Sequence, residues 1–136
     1  MKIIAKKKQH WLIVLEQSER LTDVVEAWAW ASFELAKPAG ISALTSYDSQ
    51  TQWRDVKSEA LKLQYSTADP NCLLQMDYVA GRRCKTMIHQ GRKHLTIYPG
   101  DDREQELETM YLLASRYLAK SEIDLQNIIL QTDLVQ

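Results

Sequence analysis

The sequence predicts an α+β fold in one domain, an antiparallel β-sheet packed on one face by two long amphipathic helices and a shorter one. Three observations predict it. The stretch from Asn71 to Gly100, NCLLQMDYVAGRRCKTMIHQGRKHLTIYPG, sets apolar against polar residues in near-alternation and is broken at Gly81 and Gly91. That is the pattern of a three-strand meander at about 72–98, with two tight turns where glycine supplies a left-handed backbone. Apolar residues recur at three- and four-residue steps on both sides of it, at about 19–37 and 101–119. Finally, a chain of 136 residues without internal repeat or linker suits a single domain, 1–136.

The first fifteen residues read as strand. Ile3 and Ile4 precede a lysine run, and Trp11 to Leu15 is rich in β-formers. One bent strand or a hairpin turning near Lys6 to Gln9 both fit. Ser18 offers an N-cap and Glu19 a favourable charge in the first turn of a helix. Leu21, Val24, Val25, Trp28, Ser32 and Leu35 then form one stripe, which Trp30 and Phe33 widen, and Pro38 with Gly40 ends the helix.

Residues 41–47 fit either a connector or a short strand. Ser49-Gln50-Thr51-Gln52 matches a capping box opening a helix at about 50–62, with Trp53, Val56, Ala60 and Leu61 on its apolar side. Ala68-Asp69-Pro70-Asn71 is a turn by composition, and Pro99-Gly100 stops the last strand. The final long helix begins at Asp101-Asp102, with Glu104, Glu106 and Glu108 near its positive end. Its stripe is Leu107, Met110, Tyr111, Ala114, Tyr117 and Leu118. Ser121 to Leu125 extends into a short helix and Ile128 to Leu134 into helix or edge strand.

Composition narrows the function classes. A formal net charge of −1 excludes polyanion binding by bulk electrostatics, so any such role needs local clustering. Two cysteines make no disulfide scaffold, and the apolar run from Trp11 to Leu15 is too short for a secretory signal. A cytoplasmic protein without membrane attachment is expected.

Clustering does occur. Tyr78 to Gly100 holds no acidic residue but carries Arg82, Arg83, Lys85, His89, Arg92, Lys93 and His94. If Cys84, Thr86 and Ile88 face the helices, alternation turns Arg83, Lys85, Met87 and His89 to the opposite face. If Leu95 and Ile97 point inward, His94, Thr96 and Tyr98 point out as well. The result is a cationic sheet face with one aromatic, Tyr98, able to contact phosphates or an acidic protein. Exposed strands also carry Lys and Arg simply to discourage edge aggregation.

Trp28 and Trp30 stand two apart on a helix, roughly 200° around its axis. One of them should therefore face a second surface, which makes Trp28, Trp30 and Phe33 a candidate protein-contact or self-association site. Cys72, Cys84, His89 and His94 lack the close Cys-x-x-Cys pair of a structural zinc site, so they read as buried thiols and exposed imidazoles. Asp77 with His89 on the neighbouring strand is the one candidate acid/base pair, and Glu26 reads as solvent-facing. No nucleophile elbow, P-loop, dinucleotide fingerprint or His-Glu-x-x-His occurs.

A non-enzymatic binding or regulatory module is expected, associating with a protein or with itself through the Trp-bearing helix and needing no metal or cofactor. Nucleic-acid binding by the cationic sheet face is the second reading. An enzyme or ligand carrier with a pocket between sheet and helices is the third.

Overall fold

The computed structural model describes residues 1–36, 53–62, 69–79, 82–100 and 104–119. The readings for 41–47, for the capping box at 49–52, for Gly81, for Asp101-Asp102 and for 121–134 fall outside them. Strands β1 (Lys2–Lys7) and β2 (His10–Val14) precede helices α1 (Leu21–Ala36) and α2 (Trp53–Lys62). Strands β3 (Cys72–Val79), β4 (Arg82–Gln90) and β5 (Leu95–Tyr98) follow. A 3-10 turn at Glu104–Glu106 then leads into α3 (Leu107–Ala119).

The five strands make one antiparallel sheet in the order β1-β2-β5-β4-β3. The first fifteen residues are thus a hairpin, turning at Lys8-Gln9, and β2 docks on β5 through Trp11↔Ile97 and Ile13↔Leu95. Trp11, Ile13, Leu74, Met76, Cys84, Ile88, Leu95 and Ile97 are buried against the helix layer, as the period-2 pattern requires.

α1 starts at Leu21, three residues past the expected cap, because the Arg20 carbonyl takes the first intrahelical bond, from Val24 N–H. Trp28 and Trp30 do not divide between a core and a free surface. Trp28, Trp30 and Phe33 are all fully buried. Trp28 lies 6.5 Å from the ring of Tyr111 and donates its N–H to Met1 Sδ. Trp30 lies 5.2 Å from Tyr117, and Phe33 5.8 Å from Trp53 of α2. The segment Ala27-Trp-Ala-Trp-Ala-Ser-Phe33 is apolar nearly all round, and such a helix belongs in the middle of a structure. The surface expected for the second tryptophan is occupied by α3.

Glu26 is not solvent-facing either. It is half-buried, bonded to Lys57 Nζ at 2.7 Å and to the Tyr117 hydroxyl at 2.7 Å. Tyr117 in turn accepts the Trp53 N–H at 3.1 Å. Three helices are tied together at that point.

Two buried hydroxyls serve the sheet. β4 carries one extra residue opposite β3, since Met76 pairs with Thr86 but Tyr78 with Arg83. There the Cys84 carbonyl accepts a hydrogen bond from Ser32 Oγ of α1 at 2.6 Å, and Ser32 accepts one from Thr86. A polar residue in mid-helix is explained by the bulge it satisfies.

Candidate docking surface on the open sheet face

The helices leave the other face of the sheet uncovered among the described residues. Register assigns it. His10, Leu12 and Val14 of β2 stand beside Lys7, Ala5 and Lys2 of β1 on one side. On the other, Thr96 and Tyr98 of β5 adjoin His89 and Met87 of β4, and Met87 adjoins Gln75 of β3. Val79 is buried opposite Arg82, so the next pair, Tyr78 and Arg83, turns outward. The middle of this face is apolar or aromatic and half-buried: Leu12, Val14, Met87 and Tyr98. Tyr98 is held between two imidazoles, with ring centroids 5.1 Å from His10 and 5.7 Å from His89.

The alternation expected for β4 holds, with Cys84, Thr86 and Ile88 buried and Lys85, Met87 and His89 facing away. In β5 Leu95 and Ile97 are buried and Tyr98 faces away, but Thr96, outward by register, is buried as well, between Leu12 and His89. The cations do not form one field, however. Arg83 and Lys85 lie at the β3–β4 end, while Arg92, Lys93 and His94 lie in the β4–β5 turn at the other end. At about 3.3 Å per residue, Lys85 and Arg92 are roughly 23 Å apart along the strand. The Arg82 side chain lies outside the described part of the structure. The β1–β2 turn adds Lys7 and Lys8, both exposed, to the Arg83–Lys85 end. Their neighbour Lys6 belongs to the opposite face, over the Trp11 ring at 4.5 Å and bonded to Glu108 at 3.1 Å. Sequence periodicity did not include Lys7, His10 or Tyr78 in this surface; the pairing of β2 with β5 brings the first two there. Tyr78, one of the most exposed large side chains at 64%, stands beside Arg83.

The same end is sculpted by unusual backbone. Lys85 sits in the bulge at φ +37°, a conformation that costs a side-chain-bearing residue on the order of 1–2 kcal/mol. Gly100 faces it at φ +85°, and a Cβ there would come within 2.7 Å of Lys85 Cβ. Beside them opens a cavity of about 210 Å³, lined by Gln75, Asp77, Lys85, Met87, Tyr98 and Gly100 together with Met76 and Thr86. Gly91, expected to be left-handed, is not. Glycine there lets the His94 ring fold back over the turn that the Gly91 N–H to His94 carbonyl bond closes; a Cβ would come within 2.9 Å of that ring and displace it.

The candidate acid/base pair is not assembled. His89 pairs in register with Cys72 and Asp77 sits near the other end of β3, across from the bulge. Cys72 and Cys84 are buried free thiols, and among the described residues no group of three His, Cys, Asp or Glu side chains could hold a metal ion. No described helix is long and apolar enough to cross a membrane.

A second cavity, about 480 Å³, lies on the helix side between the N-terminal segment, α1 and α3. Its carboxylates already have partners. Glu19 binds the Met1 nitrogen and the Glu16 N–H, and Asp23 binds Arg20 at 3.0 Å. Burial pushes the Glu19 carboxyl up, but these hydrogen bonds and the Met1 charge outweigh it and hold the pKa below its ordinary value.

Comparison with protein-family models, curated proteins and solved structures finds no match, so the chain is assigned to no family.

Proposed function

We propose that this protein is a non-enzymatic binding module whose working surface is the open sheet face, and that its partner is an acidic protein segment. The observation that carries this reading is the composition of that face. Aliphatic and aromatic side chains fill its middle, Tyr78 and Arg83 stand exposed beside it, and cations mark both ends. An apolar centre with a polar rim is how protein interfaces are built, and tyrosine and arginine are enriched among their strongest contacts. Two copies docked face to face would bring cationic ends together, so the charge pattern favours a different, anionic partner.

Nucleic acid suits the face less well. Stacking platforms present aromatic ring faces to successive bases, whereas the Tyr98 ring is already flanked by the His10 and His89 imidazoles and shares its cavity with the Asp77 carboxylate, which repels phosphate.

Fluorescence anisotropy tests the reading, with a labelled acidic decapeptide containing one phenylalanine and a labelled twelve-nucleotide single-stranded RNA at low and moderate salt. The peptide should bind, weaken with salt, and be lost to R83E/K85E. Tighter binding of the RNA, or peptide binding unchanged by the charge reversal, would overturn it.

A further inference from the structure

We infer that the cavity beside Lys85 and Gly100 is an anchor pocket that takes one apolar or aromatic side chain of the partner, with a carboxylate next to that side chain held by Lys85 or Arg83. The inference rests on the docking reading above and specifies its partner: an extended segment pairing a bulky apolar residue with acidic neighbours.

Size decides the kind of occupant. Sites for small-molecule ligands run to roughly 300–1,000 Å³. At about 210 Å³ this cavity is too small for most of those and suits a single side chain. Its wall is mixed in the way an anchor needs. Met87 and the Tyr98 ring give apolar contact, and methionine adapts its shape to what it meets. Gln75, Asp77 and Lys85 stand around it as polar groups able to bond an extended backbone or an acidic neighbour.

The pocket exists because two local preferences are overridden. The extra residue in β4 lifts Lys85 out of regular pairing into a left-handed conformation, and Gly100 lets the chain pass directly against Lys85, where a Cβ would clash with it. Backbone held in sparsely populated conformations clusters at binding sites, which agrees with its place at the Tyr78–Arg83 end. Asp77 opposes a second carboxylate on the β3 side, so the acidic neighbour belongs on the side of Lys85 and Arg83.

A phage-displayed random dodecapeptide library, selected on the full chain, tests this. The expected enrichment is for Phe, Tyr or Leu adjoining Asp or Glu. Replacing that residue by alanine in a selected peptide should weaken binding roughly tenfold or more. Q75W, which fills the cavity, should do the same. R83S/K85G, in which glycine suits the left-handed backbone and both charges are gone, should abolish the preference for an acidic neighbour even if Q75W proves unstable. Acidic peptides that bind, are lost to R83E, and ignore both the alanine change and Q75W would overturn the pocket while leaving the docking face standing. Selection of basic peptides, or of none, would overturn both.

Discussion

The two faces of the sheet are built from the same alternating strands and differ in how they are covered. The inner face is closed. Trp11, Ile13, Leu74, Met76, Ile88 and Ile97 meet the helix layer, and its two central hydroxyls, Ser32 and Thr86, are spent on the Cys84 carbonyl and on each other. The outer face is half-closed. Its apolar residues shield one another only in part, its cations sit at the ends, and its one cavity described here arises where the backbone departs from regular pairing. The polar groups inside answer an internal need, the bulge carbonyl of Cys84, and the outer face is the one we propose for binding.

Substitution should separate the two. Trp30→Ala, on the inner layer, should cost about 3–5 kcal/mol in chemical denaturation, because it empties a fully buried site against Tyr117. A loss near that of an exposed residue would place Trp30 at a surface after all. Ser32→Ala should cost about 1–3 kcal/mol, since the bulge carbonyl loses a buried donor. Leu12→Ser and Met87→Ser, on the outer face, should change the unfolding midpoint less than either and weaken peptide binding more.

The smallest stability effect belongs to Lys85→Gly. Relief of the left-handed conformation and the added chain entropy of glycine oppose each other, leaving a net change within about 1 kcal/mol. Binding of an acidic peptide should nevertheless fall.

Acid offers an independent check on the helix side. The Glu19 pKa is lower folded than unfolded, so Glu19 adds stability above its unfolded value and loses it as pH falls through the folded one. Glu19→Gln should therefore flatten the acid limb of a stability–pH profile below about pH 5. An unchanged acid limb would show that its bonds to Met1 and Glu16 contribute nothing.

Much of the inner face was legible in the sequence. The stripe from Leu21 to Leu35 and the alternation of Cys84, Thr86 and Ile88 each follow from a local period. The outer face was legible only where local alternation sufficed, as for Lys85, Met87, His89 and Tyr98. Lys7 and His10 join it through pairing between β2 and β5, more than eighty residues apart in the chain, which no local pattern encodes. The bulge at Lys85 depends on register against β3, so neither its left-handed backbone nor its pocket was visible. The Trp28–Trp30 pair misled because the reading allowed α1 one covered side. The uncharged run from Ala27 to Phe33 was the available sign that it has cover all round.

The most direct test of the central claim is a ¹H–¹⁵N spectrum of the labelled full chain, titrated with the acidic phenylalanine-containing peptide. The account predicts shift changes on Leu12, Tyr78, Arg83, Lys85, Met87 and Tyr98, with the amides of α1 and α3 unmoved. Changes concentrated on the helix layer, or around the cavity beside Glu19 and Asp23, would contradict it and place the working surface on the other side of the molecule.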